Sequence, residues 1–214
     1  MIDHLSTVAA SFDERAPMYD ASVMHRGVAR AVADFVVLDG VRAVLDVATG
    51  TGLVLRAIAV RDPQVRLIGI DISAGMLEVA RNELPAGEFI EGRAERLPLL
   101  DASVDLVTCA TAMHLMAEPG VVFSEIARVL APRGRLVLAT FQPPPGHSDA
   151  SRPYRANHAA FETADLVAAA AAPAGFSVSR NATGRYGDDV CLLTELTSSW
   201  FGSQCEIHLE TSII

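Results

Sequence analysis

The sequence predicts a three-layer α/β domain built on a mainly parallel sheet. Three observations point there. Apolar, β-branched runs at 43–47, 67–71, 104–110 and 135–140 alternate with segments of helical apolar spacing, the pattern of strands covered on both faces by crossover helices. The first run, Ala43-Val44-Leu45-Asp46-Val47, breaks into the turn Ala48-Thr49-Gly50-Thr51-Gly52, and a helix follows. The second, Leu67-Ile68-Gly69-Ile70-Asp71, ends in a single carboxylate.

Length and composition bound the function. The 214 residues suffice for one domain with a sizeable core. No apolar run reaches the ~18 residues of a membrane span, and the N-terminus lacks a basic region before an apolar block. A formal charge of −9 argues against nucleic acid as a partner. Cys109, Cys191 and Cys205 have no CxxC spacing and read as reduced thiols of a cytoplasmic protein. Acidic residues and histidines do not group at ligand spacing, so no metal is expected.

Strand, glycine turn and helix together bring backbone close to a ligand and aim a helix N-terminus at it. Gly50 and Gly52 permit positive φ. In the helix, Val54, Ala57 and Ile58 recur on one face. Asp71, at the carboxyl edge of the next strand, is placed to accept from both hydroxyls of a ribose. The site is therefore a two-part nucleoside site, for a dinucleotide or for S-adenosylmethionine. A dinucleotide wants a small residue where Leu55 stands, and gives Asp46 no role.

Leu45-Asp46-Val47-Ala48-Thr49-Gly50-Thr51-Gly52 resembles the first motif of class I S-adenosylmethionine-dependent methyltransferases, with Ala48 where that family usually has its first glycine. The resemblance implies a Rossmann-like α/β/α fold with strand order 3-2-1-4-5-7-6 and an antiparallel last pair. It implies S-adenosylmethionine as cofactor and S-adenosylhomocysteine as product. Asp46 and the turn Ala48, Thr49, Gly50 and Gly52 would hold the methionine end and Asp71 the ribose. Ile72 would lie on the adenine face with Met76 nearby, although both side chains read equally as core.

Before the first strand, Val28, Val32, Phe35 and Val36 predict a helix over 22–37. Upstream, Phe12-Asp13-Glu14-Arg15-Ala16-Pro17-Met18-Tyr19-Asp20 reads as a capping segment. Its Phe-Asp-x-x-Ala-x-x-Tyr-Asp spacing is similar to the N-terminal segment of the ubiquinone/menaquinone biosynthesis methyltransferases. That likeness implies a lid over residues 1–38, with Tyr19 near the sulfonium end of the cofactor.

After the second strand, Ser73 caps a helix carrying Met76, Leu77 and Ala80, and Pro85 closes it. Phe89 to Leu99 is a third strand and loop resembling the family's Gly-Asp-Ala-x-x-Leu-Pro-Phe loop, whose backbone and carboxylate read adenine. Arg93 replaces that aspartate and cannot accept from an amino group. Either Ala94 backbone and Glu95 carry the recognition, or the guanidinium stacks on a ring, or Arg93 points to solvent.

The fourth strand starts at Asp105, a loop-fixing carboxylate, and runs through Ala110, on the methyl-transfer path, into Thr111-Ala112-Met113-His114-Leu115-Met116. This stretch resembles the family's Leu-His-Trp-type segment on the transfer face. His114 is the candidate general base, with an orienting or capping histidine as the alternative. Met113 and Met116 read as core or pocket lining.

Val122, Phe123, Ile126, Val129 and Leu130 mark a sheet-facing helix, and a turn at 131–134 leads to the fifth strand. The prolines at 143–145 open a loop over 141–162 that carries His147, Arg152, Tyr154, Arg155 and His158. It reads as a substrate loop or as a solvated connector. A helix over 164–172 and strands at 175–179 and 190–194 follow, joined by a turn-rich link over 181–189. The tail with Trp200, Phe201, Cys205 and His208 covers a sheet edge or meets a second subunit of a homodimer.

The motif blocks fall in family order over 12–141. The whole chain, 1–214, reads as a single domain that transfers a methyl group to a small-molecule acceptor. Two other readings stand: a same-fold enzyme that binds the cofactor, or a dinucleotide, for other chemistry, and a non-catalytic partner subunit.

Overall fold

The structure is a computed structural model that describes residues 4–142, 152–186 and 189–198. Seven strands form one sheet: β1 Ala43–Val47, β2 Arg66–Asp71, β3 Glu88–Glu91, β4 Val104–Ala110, β5 Leu130–Gln142, β6 Phe176–Tyr186 and β7 Asp189–Ser198. Their order is β3-β2-β1-β4-β5-β7-β6, the order implied by the family resemblance. Strands β1 to β5 pair in parallel. β7 runs antiparallel to both β5 and β6. The sheet is therefore mixed: parallel over β1 to β5, with the antiparallel pair at this edge that the resemblance implies. The reason is local: Tyr186 pairs with Asp189 across a hairpin, too tight for the crossover a parallel pair needs.

β1 is buried along its whole length. Its alternate side chains serve opposite layers. Val44 joins Leu67, Leu106 and Val137 beneath helices α2 (Val23–Phe35) and α3 (Leu53–Arg61), which contribute Val28, Val32, Val54 and Ile58. On the other face Leu45 and Val47 join Ile68, Ile70 and Val107 beneath α5 (Pro119–Val129) and α6 (Ala164–Ala171). Phe123 and Ile126 of α5 are fully buried there, each contributing ~1.5–3 kcal/mol of transfer free energy. Two further helices, α1 (His4–Tyr19) and α4 (Ala74–Glu83), pack on each other over the carboxyl edge of the sheet.

Elsewhere the elements depart from expectation for identifiable reasons. The capping segment is one helix, α1. The turn expected at 131–134 is a bulge inside β5: Val104 pairs with Leu130 but Leu106 with Arg135, and Arg133 takes φ +66°. β6 continues through the link expected to be turn-rich, because Asn181, Thr183 and Gly184 pair with Thr194, Leu192 and Cys191. An edge strand with one open face accommodates such polar residues. His147, the prolines at 143–145 and the tail with Trp200, Phe201, Cys205 and His208 lie outside the described residues.

Candidate active site

The carboxyl ends of β1, β2 and β4 open into one crevice, and each supplies a turn. The turn after β1 places Ala48, Gly50 and Gly52 at φ +56°, +56° and +77°. Glycine takes that region freely, whereas Ala48 pays ~1–2 kcal/mol for its Cβ. The turn is pinned to β2, since Thr49 N–H donates to the Ile70 carbonyl (3.0 Å) and Gly50 N–H to Asp71 Oδ2 (2.8 Å). A Cβ on Gly50 would meet nothing nearer than Met76 Sδ at 3.9 Å, so that backbone faces open space. Gly52 instead lies against Ala80 and Phe89 and serves packing.

Two aspartates sit at the crevice. Asp71 Oδ1 accepts from Ser73 N–H (2.9 Å). Burial pushes its carboxyl upward against these backbone bonds. With Ser73, Gly50 and Ile72 N–H groups bonded to it, the carboxylate still keeps acceptor capacity for a ligand. Asp46 accepts from Thr108 Oγ1 (2.6 Å) and Thr49 Oγ1 (2.8 Å). Burial outweighs both bonds and pushes it up to about 7.

The crevice divides into two cavities that share Tyr19, Ala48, Gly50, Ala110 and Thr111. The larger is walled on one side by Ile70, Asp71, Ile72, Ala94 and Glu95. Its other side is apolar: Leu5, Val8 and Phe12 of α1 face Leu115 and Met116. The smaller is lined by Asp46, Thr49 and Leu53 together with His25 and Val28 of α2. Tyr19 stands between them. Its hydroxyl bonds the Thr111 side chain, and burial pushes it up to about 12.

His25 is a site residue that sequence reasoning missed. Its ring stacks on Tyr19 at 4.0 Å and 13°. Nδ1 lies 3.4 Å from the Tyr19 carbonyl, which assigns the proton to Nδ1 and leaves Nε2 as the basic nitrogen. Burial pulls its pKa down, so it is neutral at pH 7. No spacing marks it, because it comes to the cavity through the bend between α1 and α2.

Of the sequence-predicted residues, Tyr19, Ala48, Gly50, Asp71, Ile72, Ala94, Glu95 and Ala110 line the larger cavity, and Asp46 and Thr49 the smaller. Four others are not on either wall. Met76 is fully buried beneath the turn, and Gly52 is packed as described. The Arg93 side chain is 60% exposed, over an outer groove with Arg96 and Pro98, and 3.8 Å from Glu95. Of its three readings this is the solvent-facing one. His114, in the single-turn 3₁₀ helix Met113–Leu115, is buried behind the wall. Its ring stacks on His158 at 4.0 Å and meets Phe141 edge-on, while its carbonyl accepts from Asn157 N–H (2.7 Å).

This donor set fits S-adenosylmethionine: an open glycine backbone with two buried aspartates, Asp71 and Asp46, at one crevice. It fits a dinucleotide poorly, because fully buried Leu55 fills the position that needs a small residue. Among the described residues no three His, Cys, Asp or Glu gather at metal-binding distance. No described helix is long and apolar enough to cross a membrane.

Comparison with known proteins agrees. Residues 45–138 match the family described as a methyltransferase domain. The demethylmenaquinone methyltransferase of Deinococcus radiodurans is 41% identical over 152 residues, 66% of this chain and 63% of that protein. The chain thus spans less than two thirds of that relative's length. Among solved structures, the [4+2]-cyclase SpnF matches with a TM-score of 0.73 at 19% identity, over 89% of this chain and 94% of that one. Magnesium protoporphyrin IX methyltransferase of Synechocystis PCC 6803 with bound SAH matches at 0.71 and 19%, over 92% and 100%. These two likenesses concern the fold. By sequence, residues 45–138 are similar to a methyltransferase domain, and about two thirds of the chain is similar to curated demethylmenaquinone methyltransferases.

Proposed function

We propose that the chain transfers the methyl group of S-adenosylmethionine to an apolar, ring-bearing small molecule of the quinone-precursor class. The divided cavity carries this reading: carboxylates and glycine backbone line one part, and an apolar wall from α1 lines the rest. The relatives' names support the acceptor class.

Asp71 would accept from the ribose diol, with Ile72 and Ala94 against the adenine and Glu95 as the carboxylate at its amino edge. Asp46 and His25 would face the ammonium of the amino-acid end, both as hydrogen-bond acceptors. Leu5, Val8 and Phe12 would press the acceptor toward Leu115 and Met116 and exclude water. The cofactor supplies a sulfonium-activated methyl when bound, so the protein's main task is alignment. The resemblance gives His114 the role of base. Its place behind the wall favours a positioning role, in which its ring holds the segment carrying His158 by stacking on that ring. Buried Cys109 and Cys191 fit reduced thiols in a cytoplasmic enzyme.

A shared fold does not dictate methyl transfer, as the likeness to a cyclase illustrates. The test is incubation with methyl-labelled S-adenosylmethionine and a panel of hydroxylated quinone precursors. Label in the extracted acceptor with matching S-adenosylhomocysteine is the expected result. Tight cofactor binding with no label transferred to any acceptor would favour other chemistry or a partner subunit.

A further inference from the structure

We propose that Asp13 and Asp20 are positioning residues that latch helix α1 onto the turns cradling the cofactor, and that release of this latch sets how fast the site opens. The second half of the statement rests on the cofactor reading above. The first half does not.

Neither carboxylate lines a cavity. Both are spent on the scaffold. Asp13 Oδ1 accepts from Ser73 Oγ (2.6 Å) and from Gly75 N–H (2.9 Å) at the start of α4. The approach is close: a Cβ on Gly75 would fall 3.1 Å from Asp13 Oδ1 and 3.3 Å from its Cα. Ser73 faces both ways, because its own N–H donates to Asp71 Oδ1 (2.9 Å). Asp13 is therefore one residue removed from the carboxylate assigned to the ribose. Asp20, about two helical turns further on, accepts from Thr51 Oγ1 (2.5 Å) and pairs with Arg56 of α3. Thr51 is buried between Gly50 and Gly52 in the turn after β1. Between the two latches, Tyr19 reaches Thr111 after β4. One helix is thus tied to the turns after β1, β2 and β4, and its apolar residues form the cavity wall. Opening that wall requires α1 to give up these bonds, whatever contacts the cofactor itself makes.

The bonding pattern makes the claim specific. Both bonds at Asp13 end on the same oxygen. Asparagine keeps an acceptor there and alanine does not. Thr51→Val removes the donor to Asp20 in a side chain of nearly the same shape, while Asp20 keeps its pair with Arg56.

The experiment is amide hydrogen exchange on the full chain, with the dissociation rate of S-adenosylhomocysteine measured on the same proteins. Asp13→Ala and Thr51→Val should speed exchange over 4–19 at least about tenfold, the scale of losing one hydrogen bond to a charged acceptor. Exchange in β1 and β4 should stay at the wild-type rate, and Asp13→Asn, which keeps the acceptor without its charge, should be accelerated clearly less than Asp13→Ala. S-adenosylhomocysteine should leave Asp13→Ala and Thr51→Val at least about tenfold faster. Unchanged exchange in α1, equal acceleration in Asp13→Asn, or acceleration across the sheet would overturn the latch. Faster exchange with an unchanged dissociation rate would overturn its control of opening. If the wild-type protein does not bind S-adenosylhomocysteine, the cofactor reading fails and the control of opening with it, while exchange still decides the latch.

Discussion

Replacing Asp46 by asparagine should flatten the pH dependence of this protein's stability. Asp46 lies in the middle of the sheet, 2% exposed, with two threonine hydroxyls as its hydrogen-bond donors. Burial pushes its pKa from 3.8 to about 7, with Asp71 adding to the rise. That is roughly three units, or on the order of 4 kcal/mol at ~1.4 kcal/mol per unit. The sign follows from proton counting. Between pH 4 and 7 the folded state holds a proton that the unfolded state has released, so stability falls as pH rises through that window. The contribution is fully present below about pH 4 and lost above about pH 7. Asparagine does not titrate, so its protein lacks this slope. The assay is urea denaturation of wild type and Asp46→Asn at pH 5, 6 and 7. The stability of the variant relative to wild type should rise by roughly 2 kcal/mol from pH 5 to 7. Parallel profiles would refute the buried, protonated carboxyl. The same argument bears on the cofactor. An ammonium brought beside Asp46 stabilises the carboxylate, so S-adenosylhomocysteine binding below pH 7 should release a proton. Calorimetry in buffers of different ionisation enthalpy reads that release, and a buffer-independent enthalpy would detach Asp46 from the amino-acid end.

Three further outcomes follow from the geometry. Asp71→Ala should weaken S-adenosylhomocysteine binding by at least ~1.5 kcal/mol through loss of charge-assisted bonds; an unchanged dissociation constant would remove Asp71 from the ribose. Ala48→Gly should raise stability by ~0.5–1 kcal/mol, the relief at φ +56° less the entropy of a glycine, and a lowered Tm would contradict it. His114→Ala should raise the acceptor KM while kcat and S-adenosylhomocysteine affinity stay near wild type; a fall in kcat of ~10²-fold at unchanged KM would return it to the role of base.

What was legible in the sequence is what local chemistry determines. Gly50 and Gly52 announce positive φ, and the structure takes it at both and, unannounced, at Ala48. A strand ending in Asp71 announces a carboxylate at the sheet's carboxyl edge, which is where it stands. Apolar spacing identified α5, whose buried residues are the Val122, Phe123, Ile126 and Val129 of the predicted stripe. Reasoning by position failed where side-chain direction decides. Position in the loop leaves three readings open for Arg93, and side-chain direction alone selects among them: the arginine turns outward while Glu95 lines the cavity. His114 lies next to wall residue Leu115 in sequence, yet its ring turns back onto His158.

The N-terminal segment separates the two kinds of information most sharply. Likeness groups Phe12, Asp13, Tyr19 and Asp20 as one motif, and of these the aromatic pair alone reaches the cavity. The carboxylates work at long range, on Ser73, Gly75, Thr51 and Arg56, and no spacing within the motif encodes those partners. Their chemistry is still physical necessity. The first N–H groups of α4 need acceptors, and Asp13 supplies one to Gly75 from another helix. Thr51 is buried beside two glycines and needs a partner for its hydroxyl, which Asp20 supplies. A lid docked through apolar contacts alone would leave those donors to water, so closing it would strip them of partners. Carboxylates at 13 and 20 make closure satisfy the same donors that opening exposes, and this ties the position of α1 to the order of the turns beneath it.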